Sequence, residues 1–380
     1  MQTSRMIGVV GAAVVGLTLA CGTVTTPSQP TVTPASLLMP ATAPAQTLFG
    51  FFPSPPQLTF ESVVAHYESM RAHGDVVLMQ NEPDWVSFLE GVEGESQKRT
   101  DIANQMILAR QQNLDVIFVA DPLNGLNRRE FSNLPFGWEA NFKNAQVRTA
   151  FTNYALWLLR TFKPRYLGLG SEINTYADAF PDDFPNYVSL YREIYDLIKA
   201  ESPDTQVFVT FQWEDLNNLI PNGAEGRAAY ATNWDQIEIF EPELDLWAIS
   251  TYPFVAFDQA TPIPTDYYTP LLARTDKPLA VAEGGIPTVP VEPFAGSEER
   301  QVEYVNALQD QIGGRLTFWI YLLLSDLDPE SWNPAAAQNG TSDRDISTLG
   351  WFMTVGLTGI DGAPKPALAV WDEIRAEAAP

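Results

Sequence analysis

The chain has 380 residues, 45% of them hydrophobic, and a net charge of −25. That apolar content is enough for a sizeable core, while an acidic surface of this strength repels phosphates and anionic lipid, which removes nucleic acids and anionic membrane surfaces as partners. With two histidines, His66 and His73, and one cysteine, Cys21, the chain lacks the ligands of a His/Cys zinc site and the partners for an internal disulfide.

Residues 1–21, MQTSRMIGVVGAAVVGLTLAC, place a basic Arg5 before a short apolar run and small residues. This is the pattern of a secretory signal, and the run is short for a membrane span. Its end, Thr18-Leu19-Ala20-Cys21, resembles a bacterial lipoprotein signal, although Thr18 stands where that family usually has leucine. The resemblance implies a lipidated Cys21 as the mature N-terminus. It also implies an extracytoplasmic location at the bacterial surface or a periplasm-facing membrane, with ordinary secretion as the alternative. Residues 22–46 are rich in Thr, Pro, Ala and Ser and carry no charge. Such a segment cannot bury a core and reads as a solvated tether.

From Thr47 to the end, strand-like and helix-like segments alternate. TLFGFFPSP precedes the helical TFESVVAHYESMRAHG, whose histidines read as helix-surface residues. DVVLMQNEP precedes QKRTDIANQMILARQQN, LDVIFVADP precedes NAQVRTAFTNYALWLLRTFK, and RYLGLGSEIN precedes NYVSLYREIYDLIKAES. TQVFVTFQWED, LDLWAISTYPF, PLAVAEGGIP and RLTFWIYLLLSD follow, each with a helical partner, the last being PALAVWDEIRAEA after a long acidic loop over 325–347. Eight such pairs with apolar strands predict an α/β chain folded as a single (β/α)8 TIM barrel over 47–380. No glycine-rich phosphate loop follows the first strand, which argues against an open dinucleotide-binding sheet. The acidic loop lacks an EF-hand spacing, so no metal is assigned to it.

Barrel chemistry sits at the C-terminal ends of strands. Two carboxylates close apolar strands there: Glu172 in YLGLGSEIN on the fourth strand and Glu283 in PLAVAEGGIP on the seventh. Strand alternation predicts Gly168, Gly170, Glu172 and Asn174 facing the barrel axis. A carboxyl pair about 5 Å apart can cleave a glycosidic bond with retention, one protonating the leaving oxygen and the other attacking the sugar. This needs no cofactor.

Glutamates ending strands four and seven resemble the clan A glycoside hydrolases. Gly170-Ser171-Glu172-Ile173, Ser250-Thr251-Tyr252-Pro253 and Val281-Ala282-Glu283 are most similar to the family 53 endo-β-1,4-galactanases. That resemblance implies Glu172 as acid/base, Glu283 as nucleophile and Tyr252 beside Glu283. Ser171 departs from the family's asparagine, which contacts the sugar 2-hydroxyl; Asn174 is the expected substitute. Asn81-Glu82-Pro83 carries the familiar acid/base triplet on the wrong strand, the second, so Glu82 is a rim or cleft residue.

Aromatic platforms bind the apolar faces of sugars. Trp213, Tyr252 and Trp319 occupy strand ends five, six and eight, and the clan resemblance points to Trp319 as the floor of the sugar site. Trp85, Trp138 and Trp332 are loop candidates, and Asp121, Gln212 and Glu214 are candidate hydroxyl binders. The sequence therefore predicts a monomeric, tethered, retaining hydrolase of a β-linked oligo- or polysaccharide. The alternative is a barrel that has lost catalysis and binds carbohydrate. Ser171 motivates it, and a Glu172 locked to an arginine favours it.

Overall fold

A computed structural model describes residues 46–220, 227–258 and 260–378. The signal 1–21, its Cys21 and the tether up to residue 45 lie outside the described residues. Among the described residues, no helix is long and apolar enough to cross a membrane.

In chain order the strands are β1 (Leu48–Phe51), β2 (Val76–Asn81), β3 (Asp115–Ala120), β4 (Leu123–Asn124), β5 (Asn127–Phe131), β6 (Tyr166–Gly168), β7 (Gln206–Phe208), β8 (Thr210–Gln212), β9 (Trp247–Thr251), β10 (Leu279–Gly284) and β11 (Leu316–Tyr321). Nine of them form one parallel sheet in the order β7-β6-β3-β2-β1-β11-β10-β9-β8. β7 pairs with β6 and β8 pairs with β9, and only Val209 separates the two pieces. The fifth barrel strand is thus broken in two, and chain continuity through Val209 completes the eight-stranded barrel.

A helix follows each barrel strand, including Phe60–His73, Gln97–Gln111, Ala145–Phe162, Phe184–Glu201, Glu298–Ile312 and Pro366–Glu377. The starts obey local chemistry: the side chains of Thr59, Ser96, Asn144 and Ser297 accept from backbone N–H groups two or three residues on. Inside the barrel, Phe318 packs on Tyr166 and Phe208, with ring centroids 5.3 and 5.7 Å apart. Gly168 makes room for this layer, since a Cβ there would lie 3.0–3.1 Å from Val119 and Phe208.

Four expectations are corrected. The acidic loop over 325–347 contains two helices, Pro329–Gln338 and Asp343–Leu349, started by the side chains of Asp328 and Ser342. The stretch after β3 forms an antiparallel hairpin, β4–β5, around Gly125-Leu126. Its Asn124-Gly125 dipeptide is a hairpin signal that the strand–helix reading passed over. The fourth strand ends at Gly168, and its alternation does not reach Asn174. Finally, His66 is only 3% exposed and faces the core, while His73 stays on the surface, its Nδ1 2.9 Å from Asp372 Oδ2.

Burial pushes the His66 imidazole down to about 4, so it is neutral in the fold. The unfolded chain takes up this proton below about 6.5 and the folded chain does not. The contribution is complete above pH 6.5 and is lost as the pH falls toward 4. Thermal unfolding should therefore show an acid loss of roughly 3 kcal/mol across that window that His66→Gln removes. Identical acid slopes in the two proteins would contradict a buried neutral imidazole.

Candidate active site

Beyond β6 the chain turns sharply. Gly170 has φ +157°, and a Cβ there would lie 2.4 Å from the Tyr187 hydroxyl oxygen. Glu172 itself adopts the left-handed region at φ +50° and precedes a helix over Ile173–Ala179. Its N–H donates to Thr210 Oγ1 on β8 at 2.9 Å, which offsets part of the cost of the unusual backbone. The turn delivers the Glu172 carboxylate inward, where Ser250 Oγ at the end of β9 donates to Oε1 at 2.5 Å.

Glu283 comes from β10. Ser171 Oγ donates to its Oε1 at 2.7 Å, and the Tyr252 hydroxyl donates to Oε2 at 3.2 Å. Tyr252 is positioned through Glu214, which accepts the Tyr252 N–H at 2.9 Å. Glu214 also accepts from Gln212 Nε2, Thr251 Oγ1 and Tyr267 Oη, so its carboxylate is fully engaged. Gly284, next to Glu283, has no space for a side chain: a Cβ would sit 1.9 Å from the Tyr304 hydroxyl oxygen and 2.8 Å from the Thr251 carbonyl.

The residue that sequence reasoning missed is Arg128 on β5. Its Nε donates to Glu172 Oε2 at 3.0 Å, its Nη1 pairs with Asp121, and its Nη2 lies 3.7 Å from Glu283 Oε1. One guanidinium thus serves three carboxylates. Arg128, Glu172 and Glu283 are each 0% exposed. The signal available in the sequence was the Asn-Gly hairpin, which returns Asn127-Arg128 toward the strand ends.

Burial dominates the electrostatics. It raises Glu172 above the usual carboxylate range against the pull of Arg128. Burial and then the charge of Glu172 raise Glu283, to about 8. Asp121 is also raised by burial, with Arg128 opposing. Burial alone would lower Arg128; Asp121, Glu172 and Glu283 outweigh it and hold the guanidinium firmly charged. Three ionised carboxylates around one cation would leave net charge in a buried site, and burial therefore pushes all three toward their neutral forms.

The other expected residues fall elsewhere. Asn174 sits in the first helical turn, not on the strand: its Oδ1 accepts the Gln212 N–H at 2.8 Å and its Nδ2 donates to Gln212 O at 3.1 Å. It braces β8, and its Nδ2 also donates to Asp215 Oδ2 at 3.2 Å. Trp319 does not floor the site. Register pairs it with Phe49, and it packs outward on Trp371 of the last helix, centroids 5.2 Å apart. Trp213 is buried beside Trp234, Tyr267 and Tyr268. Trp85 donates to Ser132 O and packs on Trp138, while Trp332 donates to Pro55 O. Glu82 pairs with Lys98 on the rim. Among the described residues, no group of His, Cys, Asp or Glu could hold a metal ion.

No family model matches the sequence. No curated protein matches it either. The fold, however, is shared with many solved structures. A GH5_18 from Bifidobacterium longum subsp. longum superposes with TM-score 0.62 at 13% identity, over 88% of this chain and 79% of that one. An exo-β-1,4-mannosidase from Opitutaceae bacterium strain TAV5 gives 0.59 at 14%, over 88% of this chain but only 60% of its own length. A Streptomyces cattleya GH5_18 solved in complex with Manβ1-4GlcNAc gives 0.58 at 16%, over 87% and 81%. At such identities the likeness establishes the architecture: a TIM barrel of the kind that clan A glycoside hydrolases use.

Removing the cation should expose the imbalance it hides. Arg128→Gln should cost about 3–5 kcal/mol, because it leaves buried carboxylates without their partner. It raises their folded-state pKa values further, so the variant keeps most stability below about 4.5 and loses it as the pH rises. Melting curves at pH 5 and pH 8 should show the deficit growing with pH. A deficit independent of pH would mean that the guanidinium is not what balances these carboxylates.

Proposed function

We propose that this protein is a glycan-recognising barrel on the plan of the retaining clan A glycosidases, with its glutamate pair held out of catalysis by Arg128. The observation that carries this reading is the buried Arg128 Nε–Glu172 Oε2 contact at 3.0 Å. Double displacement needs a protonated acid and an ionised nucleophile at the same time. Here Arg128 pairs with Glu172, the group that would have to deliver the acid proton, and neither carboxyl reaches solvent. Arg128, Glu172 and Glu283 are each 0% exposed, so no sugar ring reaches the pair in this conformation. Ser171 supports the same reading: in place of the clan's asparagine stands a hydroxyl already spent on Glu283. The resemblance of residues 1–21 to a lipoprotein signal supports such a binder being anchored at Cys21 outside the cytoplasm, within reach of extracellular oligo- or polysaccharide.

One specific observation favours a second reading, a retaining hydrolase of a β-linked glycan with Glu172 as acid/base and Glu283 as nucleophile. Ser171 and Tyr252 both donate to Glu283, and Ser250 donates to Glu172. Each carboxyl is thus aimed by neighbours, as the chemistry requires. In this reading Arg128 must leave before a sugar can enter. The family 53 resemblance would make galactan one substrate to try, and the solved neighbours add mannosides.

The two readings part on turnover. Aryl β-glycosides and β-linked polysaccharides would be incubated with the protein and with Glu172→Gln and Glu283→Gln. We expect binding to at least one glycan and no release of reducing ends by any of the three. Wild-type hydrolysis that both variants abolish would replace the binding reading with the hydrolase.

A further inference from the structure

A cavity of about 420 Å³ opens beside the glutamate cluster, at the ends of β2 and β3. Its other walls are the β4–β5 hairpin and the turn between the helices Pro329–Gln338 and Asp343–Leu349. The volume falls in the range of about 300–1,000 Å³ common for small-molecule sites. Asp121 forms the partition. It lines the cavity, takes a hydrogen bond from Gln80 Nε2 at 2.9 Å, and holds Arg128 behind it. The cavity is therefore open where the glutamate pair is closed.

The lining has a consistent chemistry. Carboxylates come from Glu82, Asp121, Glu130 and Asp345, and amides include Asn133 and Asn339. No Lys, Arg or His is among the described residues that line it. Two cations that reach lining carboxylates are paired, Lys98 with Glu82 and Arg128 with Asp121 and Glu172. The acids do not converge at metal-binding distances. Acceptors spread around a cavity, with amides that both donate and accept, suit a ligand carrying many hydroxyl groups. The surplus of negative charge, on a chain of net −25, opposes any ligand that carries carboxylate, sulfate or phosphate.

We infer that this cavity is a saccharide site selective for neutral or amine-bearing glycans and closed to anionic ones. The inference rests on the glycan-recognition reading and adds to it the location of the ligand and its charge class.

The test is calorimetric titration of the full chain with length-matched β-1,4-linked oligosaccharides in three forms: neutral, amine-bearing and uronate. Two variants lie away from the glutamate cluster. Thr341→Trp fills the cavity from the inter-helix turn, and Glu130→Lys places a cation on its exposed wall. The uronate should bind about tenfold or more weakly than the neutral form, and Glu130→Lys should narrow that gap. Thr341→Trp should lose binding with an unchanged melting temperature. Full binding by Thr341→Trp would overturn the cavity assignment while leaving glycan recognition intact. Equal or tighter uronate binding would overturn the charge selectivity. Binding of none of the three forms by the wild type would remove the glycan reading and the cavity assignment together.

Discussion

The arrangement at the mouth of this barrel depends on one guanidinium. Asp121, Glu172 and Glu283 arrive from three separate strand ends and all lose their water. A single buried carboxylate is costly, and three are tolerable only with a cation and a full set of donors. Arg128 supplies the cation, and Ser171, Ser250 and Tyr252 supply hydrogen bonds. The hairpin that carries Arg128 is therefore part of the electrostatic design of the site, although it stands outside the eight-fold strand–helix pattern.

The same guanidinium divides the mouth into two regions. On one side lie the glutamates, buried and fully hydrogen-bonded. On the other lies an open, cation-free cavity whose wall is Asp121. A fold that catalytic barrels use is here combined with a buried arginine that pairs with a strand-end glutamate. Architecture and activity are separable for this reason: the barrel sets where strand ends converge, while a few side chains set which protonation states are available there.

Much of the barrel was legible in the sequence. Apolar runs such as LDVIFVA and PLAVA mark strands buried on both faces. Both glutamates could be found because a charged residue ending an apolar strand stands out in one dimension, and Tyr252 was placed beside Glu283 by resemblance alone. Asn174 and Trp319 were misplaced for different reasons. The left-handed turn at Glu172 ended the alternation that Asn174 relied on, and the register of β11 against β1 turned Trp319 outward.

Composition and periodicity by themselves determined the (β/α)8 class, and strand-end chemistry singled out the two glutamates as candidates, because both are written in local order along the chain. Only the tertiary structure decided what those glutamates are free to do. Arg128 is 44 residues from Glu172 and 155 from Glu283, and nothing local in the sequence ties the three together. Their meeting is set by hairpin geometry and barrel register, and the burial that results raises the carboxyls above their usual range.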